Sequence, residues 1–320
     1  MKPARRLRLA ACLIMAVSGS NAAAGPGFAT RDLNPVLQPI FFPGYSNLTE
    51  AQGWRVDHSL YITNTAQRKS SANESVVIDV ENYRYELALG YRRDEWVWQL
   101  RMPYLANRGG EFDQLIENWH DLFGFPEGER KKLPRDQVKI EYVRDGVVEY
   151  SQTESSSGIG DVSIAVGKHP AGEVGYFVGI ELPTGSESDF TGNEGIDVAL
   201  WLLGDTKLGE ASKLYGLFGV TFPADDGALE GLVVDRIWVA QAGLNHRFND
   251  RVLGFTQLDL HSSTIDDSSL VAFGHSLQIQ AGLGFDGLIE NHRLDLFFSE
   301  DIDVGTAPDI TFSLRVARTF

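Results

Sequence analysis

One cysteine, Cys12, stands in a chain of 320 residues, and it lies in an N-terminal stretch that reads as a cleaved leader. The chain that remains has no thiol, which excludes disulfides and cysteine nucleophiles. Histidine is scarce too: the seven histidines show no His-x-His or His-x-x-x-His spacing, so neither a zinc site nor another metal or cofactor is expected. No apolar run beyond the leader reaches the 18 or so residues that a membrane-crossing helix needs. Cations are in deficit, with 28 Lys and Arg against 44 Asp and Glu. Four of those cations and none of the acids fall in residues 1–24, so the processed chain carries about −20. That balance excludes nucleic acid as a partner, because phosphate binding needs clustered cations. The acidic pairs Asp225-Asp226 and Asp266-Asp267 read as solvated loop charge, with weak divalent-cation binding the minor alternative.

The leader itself is well formed. Lys2, Arg5, Arg6 and Arg8 precede an apolar run from Leu9 to Val17, and Ala22-Ala23-Ala24 offers a small-residue cleavage site. Residues 1–24 therefore read as a secretory signal peptide. Leu9-Ala10-Ala11-Cys12 fits a lipoprotein acceptor box, but cleavage there would leave no apolar core ahead of the cysteine. Residues 25–52 carry Pro26, Pro35, Pro39 and Pro43 with little periodicity, and proline cannot donate to a sheet ladder. Two placements are open for this stretch: an extended periplasmic arm, or a plug folded into the rest of the chain.

Beyond residue 52 the chain alternates. In Asp309–Phe320, Ile310, Phe312, Leu314, Val316 and Phe320 fall on one side of a strand, and Thr311, Ser313, Arg315, Ala317 and Thr319 on the other. From Trp54 onward such stretches recur, separated alternately by short turns and longer loops. We read twelve strands: one from Trp54 to Thr63, one ending at Tyr91, one from Trp96 to Tyr104, then Gly158–Lys168, Tyr176–Leu182, Ile196–Leu203, Leu214–Phe222, Val233–Phe248, Val252–His261, Val271–Phe285, one around Leu294–Phe298, and the last. An even count, short turns opposite long loops, and aromatics at strand ends (Tyr91, Trp96, Phe248, Phe285, Phe320) predict an all-β, antiparallel, up-and-down transmembrane barrel over 53–320. Only alternate residues of such a barrel face lipid, so 43% apolar content is no objection. A soluble sandwich or solenoid would explain the alternation but not the aromatic outer faces or the terminal Phe320. The expected address is the outer membrane, with its lipids and, through Phe320, the barrel-insertion machinery as partners. Arg318 departs from that terminal pattern, where an apolar residue is usual.

A long loop, 105–157, interrupts the repeat on the extracellular side. Within it Phe112, Leu115, Ile116, Trp119 and Phe123 recur at helical spacing over 111–123, before Gly124. Such a stripe must bury against something: the barrel mouth, which it would cover as a lid or merely pack on, the outer-leaflet interface, or a ligand. Val138–Val148, broken at Asp145-Gly146, predicts a hairpin.

The segment Gly109–Gly124, with Asn34-Pro35 upstream and Gly158-Ile159-Gly160-Asp161 downstream, resembles an uncharacterised family of Gram-negative outer-membrane barrels, domain of unknown function 3187. Gly158–Asp161 and Leu182-Pro183-Thr184-Gly185 are also similar to barrels associated with aromatic-degradation pathways. The resemblance spans most of the processed chain and implies a barrel and an outer-membrane address. It implies no catalytic residues.

The inward face predicted from alternation includes Arg55, Asp57, Arg84, Glu86, Gln99, Arg101, Asp259, Gln278, Gln280 and Asp295. Charges of both signs facing inward either line a polar constriction for a small solute or pair off and fill the lumen. A passive channel for small solutes and a structural or surface-interaction barrel with a sealed lumen are therefore the two readings. His261-Ser262-Ser263 resembles outer-membrane lipid hydrolases, but Leu258 and Leu260 take the lipid face, which turns His261 and Ser263 inward. No enzymatic activity is expected.

Overall fold

The structure, a computed structural model, describes residues 32–44, 52–110, 118, 133–134, 136–170, 174–302 and 305–320. Among these residues fifteen strands form one antiparallel sheet: β1 (Gly53–Ser70), β2 (Glu74–Arg93), β3 (Trp96–Arg108), β4 (Lys139–Arg144), β5 (Val147–Gln152), β6 (Ser156–Ile159), β7 (Val162–Lys168), β8 (Gly175–Leu182), β9 (Asp197–Leu208), β10 (Ser212–Phe222), β11 (Ile237–Arg247), β12 (Val252–His261), β13 (Ser276–Asp286), β14 (His292–Asp301) and β15 (Ile310–Thr319). Twelve of them, β1–β3 and β7–β15, succeed one another around a closed barrel. The seam joins the last strand to the first, from Arg55 opposite Thr319 to Asn64 opposite Ile310. Closure leaves no edge with unpaired backbone groups, which hydrocarbon could not satisfy.

Through the barrel wall the strands sort their side chains by the predicted period of two, which gives way toward the loop end, as at Thr63–Gln67 of β1 and Ile78–Asn82 of β2, where both faces are buried. On β13, Ile279 and Leu283 are exposed while Ser276, Gln278 and Gln280 are buried. The exposed face carries Ile164, Val178, Leu200, Leu202, Phe218, Leu258, Leu260, Leu296 and Leu314. Around the end that carries the short turns, Trp54, Trp96, Trp98, Tyr176, Phe248 and Phe320 form an exposed aromatic girdle. Arg318 fits this level: its guanidinium lies 4.5 Å from the centre of the Phe320 ring, so a cation at the penultimate outward position sits at the interface rather than in hydrocarbon. Inside, aromatics stand over glycines on the neighbouring strand. Tyr215 lies opposite Gly243, Phe255 opposite Gly282 and Phe177 opposite Gly167. A Cβ at any of the three glycines would overlap the facing ring, so each glycine is a socket that fixes ring and register together.

The other end is built up by loops. β2 pairs with β3 from Glu81 to Arg93, and with β4 instead from Glu74 to Asp79. β4 and β5 form the predicted hairpin, turning at Asp145 and Gly146 with φ of 50° and 79°, the left-handed pair that a tight hairpin turn needs. Ile140, Tyr142 and Tyr150 of this hairpin share one core with Ile78 of β2, Phe190, Leu229 and Leu232, and Phe273. These residues come from four separate connections, which therefore fold into a common cap.

Several strands run past their expected bounds, β1 to Ser70, β3 to Arg108 and β9 to Leu208, and three others are recast. The strand read as Gly158–Lys168 is two, β6 and β7, because Gly160-Asp161 turns the chain: the Asp161 carboxylate accepts from the backbone N–H of Thr184 (2.9 Å), Gly185 (2.8 Å) and Asn193 (3.0 Å). The two short motifs that carried the second resemblance are thus one clamp. Val271–Phe273 is a 3-10 turn rather than the start of β13, because Ala272 and Phe273 bury into the loop core. Val233 and Ile265 pair as an isolated bridge, and β11 begins at Ile237. The signal peptide 1–24 and the loop-helix residues Phe112, Leu115, Ile116, Trp119 and Phe123 lie outside the described residues.

Candidate functional site: the barrel lumen

The inner wall has two unlike halves. On β12–β15 and β1–β3 it is polar and charged. All ten residues predicted to face inward are on this side. Arg55 pairs with Asp57 at 2.7 Å. Glu86 takes Arg84 at 3.0 Å and Arg101 at 2.6 Å. Asp259 accepts from Gln257 at 2.8 Å and from Gln280, and Gln278 accepts from Ser299 at 3.1 Å. Asp295 is shared by Arg293 at 2.7 Å and Arg315 at 2.9 Å. Gln99 is buried on the same face. Arg293, Arg315 and Gln257 belong to this wall as fully as the predicted ten; their alternation would have placed them there.

On β7–β11 the wall is mostly apolar: Ala165, Phe177, Ala199, Trp201, Leu203, Leu217, Ile237 and Val239 are all buried, with Ser163, Glu181, Asp197, Thr221, Gln241 and Asn245 as buried polar positions. Phe177 and Trp201 stack with ring centres 5.4 Å apart. This half is hidden in the sequence for a physical reason. Where both faces of a strand are apolar, as in Ala199-Leu200-Trp201-Leu202-Leu203, the period of two disappears.

Residues 32–44 run through the interior between these walls, buried along almost their whole length. Near the loop end Asp32 meets Nε2 of His261 at 3.0 Å, while Nδ1 of His261 lies 2.7 Å from the Ser262 carbonyl. Asn34 caps a 3-10 turn, Pro35–Leu37, by accepting from the Val36 N–H. Val36, Leu37, Ile40, Phe41 and Phe42 continue the loop core down into the apolar wall. Phe41 packs edge-on to Trp201 at 6.3 Å. Its backbone is held at both ends: the N–H donates to Asp197 at 2.7 Å, and the carbonyl accepts from Thr221 at 2.7 Å. Burying one large apolar side chain is worth about 1.5–3 kcal/mol, so five of them dock the strand-less segment firmly despite its prolines. Beside Phe41–Gly44, and against Arg84, Glu86, Arg101 and Trp201, a cavity of about 30 Å³ remains, room for a water or two. A barrel of eight strands fills with side chains and one of sixteen leaves a channel; this twelve-stranded one holds residues 32–44 in its interior.

At the loop end a second polar knot fastens the cap. Glu74 accepts from Tyr142 Oη at 2.5 Å and from the N–H and Oγ of Ser269, both at 2.8 Å. Arg144 donates to Tyr142 Oη at 2.8 Å and to the Asp266 carbonyl at 2.7 Å. Burial alone would push the Glu74 carboxyl up, but the Tyr142 and Ser269 donors outweigh it and hold it down at about 2. Burial and the Glu74 hydrogen bond push the Tyr142 phenol up to about 12. At the turn end, burial drives the His169 imidazole down to about 4, against the pull of Asp205.

A closed twelve-stranded barrel with an apolar exterior, an aromatic girdle and a part-polar lumen is a transmembrane β-barrel of the outer-membrane class. The solved outer-membrane channel COG4313 from Pseudomonas putida F1 superposes with a TM-score of 0.55 at 14% identity, covering 84% of this chain and 96% of that one. The CymD monoaromatic hydrocarbon channel gives 0.45 at 9% identity over 93% and 95% of the two chains, and the P. putida toluene transporter TodX 0.42 at 9% over 90% and 93%. The first likeness speaks for the fold; the other two add nothing to it. No curated protein matches the sequence. By family the chain belongs to the proteins of unknown function DUF3187, whose model matches residues 7–320. In such barrels the short turns face the periplasm and the long loops the exterior.

Proposed function

We propose that this protein is a gated outer-membrane channel for small solutes that have an apolar body and a polar group, and that residues 25–52 are its plug. The observation that carries the reading is the uneven lumen, with one wall richer in aromatic and aliphatic side chains, one richer in paired charges, and the segment 32–44 lying in the space between. A solute occupying that space would trade Phe41 and Ile40 for its own apolar body and would meet Arg84, Gln99 and Arg101 with its polar group. The charged pairs cancel locally, so passage of a bare ion is not favoured by either sign. Planar-bilayer recording tests this. Deleting residues 25–44 is expected to convert a rarely conducting protein into one with steady conductance. If the deleted and intact proteins both fold and neither conducts, the channel reading fails.

That outcome would favour a sealed surface barrel, a second reading that draws on the loop core: Tyr142, Tyr150, Phe190 and Phe273 pack ring against ring across the mouth, at 5.0–5.6 Å between centres. A lipid hydrolase is disfavoured by the same geometry. His261 faces Asp32 and a backbone carbonyl, with no serine hydroxyl at either ring nitrogen.

A further inference from the structure

We propose that the outer wall over β7–β11 carries a specific site for one phospholipid of the periplasmic leaflet. The proposal depends on the membrane-spanning fold and not on the channel reading. A concavity of about 520 Å³ indents the barrel exterior there, within the 300–1,000 Å³ range of ligand-binding clefts. Its lining is almost wholly apolar. Two rows of outward side chains flank it, Tyr176, Leu202 and Phe218 on one side and Val178, Leu200 and Val220 on the other. The row between them points inward and includes Gly167 and Gly219, so the floor is bare backbone. A groove this shape, walled by side chains and lying in the hydrocarbon band, takes a flexible acyl chain.

The ends of the groove decide which lipid. At the far end Trp238 stacks on Phe218, rings 5.6 Å apart at 18°, and closes it. At the near end Trp96 stacks on Trp98, rings 6.1 Å apart at 24°, at the periplasmic girdle, where Trp96 and Tyr176 are about half exposed. There the Lys168 ammonium lies 4.8 Å from the centre of the Trp96 ring. A tethered cation between two amphipathic aromatics, at headgroup depth, complements a lipid phosphate. An acyl chain in the groove with its phosphate at Lys168 satisfies both ends.

Native mass spectrometry of the detergent-purified full chain, titrated with palmitoyl-oleoyl-phosphatidylglycerol, tests the assignment. The expected result is one lipid that saturates before any others add. Lys168→Gln should weaken that first binding by about fivefold, the effect of one cation near a membrane surface, and Lys168→Arg should restore it. Val178→Trp, which fills the groove from the lipid side, should remove the first site while leaving the barrel folded. Lipids adding without a distinct first step, or equal first affinities in wild type, Lys168→Gln and Val178→Trp, would overturn the proposal. So would a mass of two protein chains in place of the lipid adduct, which would make the groove a contact between copies of the barrel.

Discussion

Replacing Glu74 by Gln should loosen the extracellular cap without touching the barrel. Glu74 is 4% exposed and ties three connections together: its own, the β4–β5 hairpin through Tyr142, and the β12–β13 loop through Ser269. A hydrogen bond to a charged group contributes about 1.5–3 kcal/mol and a neutral one about 0.5–1.5, so neutralising the acceptor of three bonds costs roughly 3 kcal/mol. The depressed carboxyl expresses the same three bonds in another form. A carboxyl held at about 2 instead of the usual 4.5 favours the folded, ionised form by about 3 kcal/mol. Three kcal/mol is on the order of a 150-fold rise in cap opening. Hydrogen exchange read by mass spectrometry should show that rise in residues 139–152 and 266–275, with no change in β12–β15. Because the folded value is depressed, the stabilisation is complete above about 4.5 and is lost as pH falls towards about 2. At the alkaline end Tyr142, held at about 12, makes the cap weaken once pH exceeds about 10, where the unfolded phenol ionises. If Glu74→Gln leaves exchange of the hairpin within twofold of wild type, the cap is held by its aromatic core alone and Glu74 is no fastener.

Gly243→Val should displace the Tyr215 ring and break its 2.7 Å hydrogen bond to Gln257, costing roughly 2–4 kcal/mol. Adding Tyr215→Ala should recover part of that loss in urea unfolding from micelles, and no recovery would refute the socket. His169 is neutral in the fold, so its contribution is intact above about 6.5 and is lost as pH falls towards about 4. The loss is at most about 3 kcal/mol, and it should vanish in His169→Asn when unfolding midpoints at pH 7.5 and 5 are compared.

The barrel was legible in the sequence because membrane strands must alternate. One face meets lipid and the other does not, and a run such as Leu277–Phe285 can satisfy that demand in only one register. Turn chemistry supplied the Asp145-Gly146 hairpin, and alternation placed Arg84, Glu86, Asp259 and Asp295 on one face without reference to any contact. The remainder depended on contacts between residues far apart in the chain. That Glu86 faces Arg101, or Arg315 faces Asp295, is a matter of strand register, which no local pattern specifies. The apolar half of the lumen was hidden because Trp201 and Leu203 sit beside Leu200 and Leu202, and two apolar faces cancel the period of two. Residues 32–44 have no periodicity at all, since Pro35, Pro39 and Pro43 bar them from the sheet. Their position is set by side chains that arrive from β9, β10 and β12, namely Asp197, Thr221 and His261, and those converge only once the barrel has closed.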